Sequence, residues 1–537
     1  MISLASLGVV GISGIKFLKT TFSSKRIPGR MIGASFDRGH LLIKNNFEKP
    51  TREIEISTVI VGGGISGLSA AYTFTQNNFF DYILLELEDK VGGNSSSAEN
   101  KITPFPLGAH YIPLLSEESK LAKKLFEELG IIEGHDKHDL PIYNEYYVCS
   151  DPHERLLIHG RWQNGLIPEE GIPETDKKEI KEFLDKVSEL KNLKGKDNKR
   201  AFAIPMEESS TDSKFKKLDD ISMKTYLKQN DFNSKYLEWY INYCCRDDFG
   251  MTIENISAWA GIHYFAARNG KGSEISTTDI ITWPEGNGWI VNKLYSKIKK
   301  NCLNGKIVFN IENMNEDGKD FTYVDYYDVK SKAVTRIKTR KIIYAAPRFT
   351  AFRTIKSWRV NRPSWANKLE YSPWMVANIS LSNKPVSSEI PLSWDNVNFD
   401  GRSLGYVVAT HQNLKSKQEK SVLTLYWPLT DRDSRQARTK ALGKSHQQWT
   451  SEIIKELDAM HPEIESLITN IDVCLWGHAM IKPNVGFIWG NERENMNKHF
   501  NNIYFAHSDM SGFSIFEEAH YRGVKASEKV LKELNNG

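Results

Sequence analysis

The stretch VIVGGGISGLSAA, Val59 to Ala71, decides how this chain folds, because an apolar β-branched run meets three consecutive glycines and then a run of small residues. Gly62, Gly64 and Gly67 form GxGxxG between an expected strand and an expected helix. In that setting the first glycine permits the tight turn and the second lets backbone approach a pyrophosphate. The third lets helix and sheet pack closely. A helix N-terminus with free N–H groups then faces the anion. The second strand, DYILLELE, carries Glu86, 19 positions after Gly67. An acid there suits ribose hydroxyls and disfavours a 2′-phosphate.

Around this loop the chain has 537 residues, room for two or three domains and a sizeable core. Apolar residues make up 40% and charged ones 26%. With 71 basic against 67 acidic residues the net charge is +4, and no basic stripe interleaves with aromatics, so nucleic acid is not expected as a partner. The five cysteines, Cys149, Cys244, Cys245, Cys302 and Cys474, lack CxxC spacing. They read as packing residues rather than a disulfide framework or a metal site. The apolar run ISLASLGVVGISGIKFL is interrupted by Lys16 and followed by the basic flank KTTFSSKRIPGR. It reads as an uncleaved anchor, a signal or an apolar arm. Membrane association or export is favoured over a cytoplasmic location.

The order of elements implies an α/β protein. Residues 1–55 read as leader and connecting arm, and 56–115 as the first part of a nucleotide domain. A mostly helical first part of a second domain spans 116–274, including a charged segment, TDKKEIKEFLDKVSELKNLKGKDNK, expected to project as a solvated helix or loop. Residues 275–350 return to the nucleotide domain. The second part of the inserted domain, sheet plus helix, spans 351–470, and 471–537 closes the nucleotide domain with a strand and a long helix.

Beyond Glu86, the pair Gly92-Gly93 in ELEDKVGGNSSS resembles the FAD-binding half of the flavin-containing amine oxidase superfamily, which also holds protoporphyrinogen oxidases and carotenoid desaturases. WPEGNGWIVNKL, KIIYAAP and IYFAHSDMSGFSIFEEAHYRGVKASEKVL are similar to later segments of that family. PLGAHYIPLLS, CRDDFG and AHSDMSGFSIFEEA resemble a bacterial subgroup of FAD-dependent amine-oxidoreductase-like proteins. The resemblance implies a Rossmann-like (GR2-type) FAD domain with an inserted α+β substrate domain. It implies non-covalent FAD held by Gly62, Gly64, Ile65, Ser66, Gly67, Glu86, Gly92, Gly93, Asn94, Ala109, His110, Tyr111, Asp509, Ser514, Ile515 and Phe516. The partners it implies are a small amine or apolar substrate and an electron acceptor such as oxygen or a quinone.

The sequence departs from the family in three places. Asn94 replaces the usual arginine, Glu518 stands where glycine is common, and the expected place of the flavin-N5 lysine, YSPWMVANISLS, has no lysine. Glu518 is expected to turn away or to pair with Arg522. The missing lysine weighs against ordinary amine oxidation and rapid reoxidation by oxygen. Catalytic candidates are His110, Trp476 and His478, with His507 behind them, and Phe487 or Trp489 as a second aromatic wall. Asp247 and Asp248 suit a cationic substrate, but a helix C-terminal cap with Arg246 as ion-pair partner is the favoured reading. The function expected is hydride transfer from an amine or related apolar substrate to flavin. The alternatives are a desaturase or isomerase of a lipid-like isoprenoid, or a non-catalytic FAD-containing binding protein.

Overall fold

A computed structural model describes residues 26–316, 318–387, 390–414 and 418–536. The apolar run expected to be an anchor, a signal or an arm lies outside them. Among the described residues no helix is long and apolar enough to cross a membrane.

The run Thr58–Val61 is buried on both faces, as a continuous β-branched stretch in a parallel sheet must be. It sits at the centre of a five-stranded parallel sheet ordered Cys302–Leu303, Tyr82–Leu85, Thr58–Val61, Lys341–Tyr344, Ile503–Phe505. Three distant parts of the chain therefore build one sheet. Helix Ile65–Gln76 leaves the glycine loop and is covered by Gly288–Ile298 and Phe516–Asn536. Its contact with the last helix is very close: a Cβ on Gly523 would lie 2.2 Å from the Ser66 carbonyl oxygen.

The second domain is built on an eight-stranded sheet in which Ile468–Ile481, Tyr371–Leu381 and Ser421–Pro428 run antiparallel side by side. Period-two alternation divides its faces. Met375, Ala377, Leu423, Leu425, Val473 and Leu475 pack under helix His446–Asp458, while Trp374, Val376, Tyr426 and Trp476 face the nucleotide domain. A separate four-stranded sheet joins Lys306–Glu316, Lys319–Asp328, Val334–Thr339 and Arg52–Glu55.

Three expectations need correction. A boundary at 470/471 cuts through strand Ile468–Ile481, which belongs to the eight-stranded sheet. The described part of the N-terminal arm is structured. Met31–Ile32 pairs with Val473–Cys474, Phe36–Lys44 is a helix, and Arg52–Glu55 pairs with Thr335–Lys338. The charged segment forms helix Glu174–Asn192, and it is no free projection: Ile180, Phe183 and Val187, spaced i, i+3, i+7, are buried along one face.

Candidate active site

Two connected spaces lie between the domains. The larger, about 690 Å³, is lined by Gly62, Gly63, Gly64, Ile65, Ser66, Glu86, Gly92, Gly93, Asn94 and Asp509, and further along by Trp476 to Ala479 and Ser514 to Phe516. Its size falls within the roughly 300–1,000 Å³ usual for small-molecule sites. The second, an inner chamber of about 130 Å³, shares Asn94, Ala109, Trp476, Ala479, Ser514, Ile515 and Phe516 with the first as a common wall.

The glycine loop fits a dinucleotide for reasons visible in its backbone. Gly62 has φ +101° and a Cβ there would lie 2.9 Å from Ala346 N. A Cβ on Gly67 would lie 1.9 Å from the Gly62 oxygen, so Gly67 shapes the turn and does not itself line the cavity. Gly64 is different: nothing stands within 4 Å of its Cβ position, because that position opens into the cavity. The helix N–H groups that follow have no intrahelical acceptor and supply the anion site.

Two buried acids line this cavity. Glu86 is held by its own loop, Oε2 accepting from Gly63 N at 2.6 Å and Oε1 from Glu88 N at 2.8 Å. Burial nevertheless raises its pKa to about 7. Asp509 Oδ2 accepts from Arg348 N (2.8 Å) and Tyr371 OH (2.6 Å), while Oδ1 is buried with no donor other than the nearby His507 ring. His507 Nδ1 lies 3.1 Å from Oδ1 and from the Asp509 amide nitrogen, so the ring's tautomer decides whether it donates to that oxygen or accepts from the amide. With the ring accepting, Oδ1 is an orphaned carboxylate oxygen in this wall and matches a ligand hydroxyl.

Several expected cofactor residues have other work. Asn94 Nδ2 donates to the Ala479 carbonyl and so ties the Gly-Gly loop to the eight-stranded sheet. Ser66 Oγ donates to Ala519 O (2.8 Å), and Ser514 Oγ accepts from Ile481 N (3.2 Å). Glu518 does turn from the cavity: it accepts from Met206 N and Ser511 Oγ, and Arg522 reaches the same Ser511 hydroxyl while pairing with Glu207 at 2.5 Å.

His110 and Tyr111 line the chamber and not the long cavity. The His110 ring stacks on Tyr426 at 4.2 Å, and burial lowers its pKa to about 3, so it is a neutral wall. Tyr111 OH donates to Asp247 Oδ2 at 3.0 Å. Trp476 lies in the common wall, its Nε1 donating to Leu107 O at 2.6 Å. His478 stands apart from the chamber. It lines the long cavity, stacks on Phe349 at 4.3 Å, and burial lowers its pKa to about 4. Phe487 and Trp489 are also absent from the chamber lining, and Trp489 packs against Trp259. The other large aromatics lining the chamber with Trp476 are Trp374, its cross-strand neighbour, and Tyr426, whose OH donates to Gly108 O at 2.9 Å.

The chamber lining also carries an acidic pole, which the sequence pattern reads as a helix cap. Helix Lys235–Phe249 ends on Gly250, whose N–H meets the Arg246 carbonyl. Asp247 and Asp248 are not caps; both line the chamber. Asp248 pairs with Arg268, whereas Arg246 donates to the Arg402 carbonyl. Burial, and then the neighbouring Asp248 charge, raise the Asp247 pKa to about 6. Asn287 and Glu517 complete this end. Strand Tyr371–Leu381 contributes Trp374 and Val376 where the family lysine is expected; the single lysine among the lining residues of both spaces is Lys306.

Comparison with known proteins agrees with this geometry. Residues 60–129 match the model of an NAD(P)-binding Rossmann-like domain. The chain is 23% identical to oxidoreductase PigB of a Serratia species, across 98% of this chain and 82% of that protein. A flavin-containing amine oxidase of Oncorhynchus mykiss is 26% identical over 26% of this chain and 30% of its own. Among solved structures, putrescine oxidase bound to putrescine has a TM-score of 0.64 at 14% identity, covering 89% of this chain and all of the other. Cyclohexylamine oxidase from Brevibacterium oxydans gives 0.63 at 14%, covering 90% and 100%. A fatty acid isomerase from P. acnes gives 0.57 at 15%, covering 88% and 98%. The dinucleotide loop, the architecture and the relative matched along nearly the whole chain agree that this chain has the fold of the putrescine and cyclohexylamine oxidases, built on a Rossmann-like dinucleotide-binding segment.

Proposed function

We propose that this protein dehydrogenates a small amine, passing a hydride to the flavin across the common wall and electrons onward to a separate acceptor. The observation that carries this reading is the composition of the inner chamber. The rings of His110, Trp374, Tyr426 and Trp476 share its lining with the carboxylates of Asp247 and of Asp248, the latter paired with Arg268. Such a box suits a compact cation, held by ring quadrupoles and by negative charge. Bound FAD supplies the hydride acceptor. The chain supplies orientation, an enclosed apolar space and acceptors for N–H groups.

The residues named do distinct work. Trp476 and Asn94, fixed by bonds to Leu107 and Ala479, set the common wall. Tyr426 and Tyr111 are held by Gly108 and Asp247, so the box is shaped before the substrate arrives. A chamber of about 130 Å³ suits a small ring or short chain better than an extended isoprenoid. Membrane association remains outside this reading, since it rests on the apolar N-terminal run.

The test is an anaerobic screen of the FAD-loaded full chain with cyclohexylamine, putrescine, free amino acids and a linear isoprenoid. Bleaching of the oxidised flavin band by an amine supports the reading. Bleaching by the isoprenoid alone, or by none of them, overturns it.

A further inference from the structure

The inner chamber holds three carboxylates, and two of them are engaged. Asp247 accepts from Tyr111 OH at 3.0 Å, and Asp248 is paired with Arg268. The third, Glu517, is only 5% exposed. It stands in the first turn of helix Phe516–Asn536, directly after Ile515 and Phe516 of the wall shared with the FAD cavity. Among the described residues no other side chain donates to it or pairs with it. A second acceptor belongs to the same chamber: Asn287, 1% exposed, has an amide oxygen with no donor. Its backbone is anchored to the loop below, Asn287 N donating to Ala109 O at 3.1 Å. The Asn287 oxygen, buried without a donor, is costly unless a ligand satisfies it, and the Glu517 carboxylate has only its own backbone N–H and the nearby Arg268 charge to meet it. A ligand with two N–H groups would serve both, and a primary or secondary ammonium provides them.

An amine enters this site from neutral water as its ammonium ion, which has no lone pair to drive hydride loss from the adjacent carbon. Resting on the amine reading above, the geometry points to Glu517 as the base that takes the ammonium proton, with Asn287 accepting a second N–H and fixing the nitrogen. In this step the N–H bond breaks and an O–H bond forms on the Glu517 carboxylate. The electron pair stays on nitrogen, and charge is conserved as ammonium and carboxylate become amine and acid. No oxidant is consumed until the later hydride transfer. Burial holds the Glu517 carboxyl near 7, which matches a proton acceptor working slightly above neutrality.

The experiment compares wild type, Glu517→Gln and Asn287→Leu, each purified as the full FAD-loaded chain. Anaerobic flavin reduction by cyclohexylamine is followed from pH 6 to pH 10. Glu517→Gln is expected to lose about 100-fold in reduction rate at pH 7.5. It should recover about tenfold per pH unit as solvent supplies the free amine. Asn287→Leu should raise KM while keeping the wild-type pH profile. Infrared difference spectra on adding the amine should show a carboxylic-acid band in wild type and none in Glu517→Gln. A Glu517→Gln variant that keeps its flavin, its wild-type rate at pH 7.5 and its wild-type pH profile overturns the assignment while leaving the amine reading intact. Failure of wild type itself to bleach with any amine removes both.

Discussion

The long cavity and the inner chamber meet at one wall, yet they are made in opposite ways. The cavity is backbone: a turn at Gly62–Gly64, a second at Gly92–Gly93, and the starts of two helices. The chamber is side chains, delivered by loop 108–113, helix Lys235–Phe249, Arg268, Asn287 and three neighbouring strands. A site made of backbone depends on side chains being absent at a few positions. A site made of side chains depends on a dozen separate placements agreeing.

That contrast is open to direct attack. The largest effect is expected at Gly64→Val. Its backbone, at φ −72°, tolerates a side chain, and the new Cβ projects only into the cavity. The variant should fold with a wild-type far-ultraviolet spectrum and bind FAD about 100-fold more weakly. A flavin-loaded Gly64→Val would show that the loop is not the cofactor site.

Of comparable size is a pH effect on stability. Burial raises the Glu517 pKa from 4.5 in the open chain to about 7 in the fold, so folding favours its protonated form. That contribution is complete below 4.5 and is lost as pH rises through about 7. It amounts to about 3 kcal/mol. Glu86 behaves in the same sense, its pKa raised to about 7. In denaturant titrations of flavin-free protein, wild type should lose stability relative to Glu517→Gln between pH 5 and pH 8, a difference from which the opposite contribution of the buried neutral histidines His110 and His478 cancels.

Asp247→Asn comes third. It keeps an acceptor for Tyr111 but removes a charge from the acidic pole, and should raise KM for the bleaching amine about tenfold with little change in flavin content. An unchanged KM would move cation recognition away from the pole. The smallest effect is expected at Tyr426→Phe, which loses the bond to Gly108 O while keeping the stack on His110. About 1 kcal/mol, or roughly fivefold in KM, is the expected cost, read from steady-state kinetics.

The same contrast explains what could be read from sequence. Gly62, Gly64, Gly67 and Glu86 were legible because a phosphate turn needs those residue types at that spacing. The closing strand and helix, Ile503–Phe505 and Phe516–Asn536, were legible from their apolar pattern. The chamber was not. Asp247 and Asp248 precede a glycine, which reads as a helix cap, and only the tertiary packing of that helix turns them inward. Tyr426 and Trp374 sit in strands buried on both faces, where nothing in the sequence distinguishes the cavity side from the core side. Glu517 was overshadowed by Glu518, one residue later, which faces away toward Ser511. A helical wheel anchored on the Gly523 contact with Ser66 would have separated the two. His478 has the same strand parity as Trp476, yet it lines the long cavity beside Phe349 and not the chamber, a difference that alternation alone does not reveal.

The N-terminal arm has a consequence in time. Met31–Ile32 pairs with Val473–Cys474, and the central strand Thr58–Val61 lies one strand from Ile503–Phe505 in its sheet. During synthesis the glycine loop emerges early but waits for more than four hundred residues before the elements that enclose it exist. Contacts so distant in sequence form slowly. The nucleotide half, first in the sequence, is therefore the last part of the molecule to be finished.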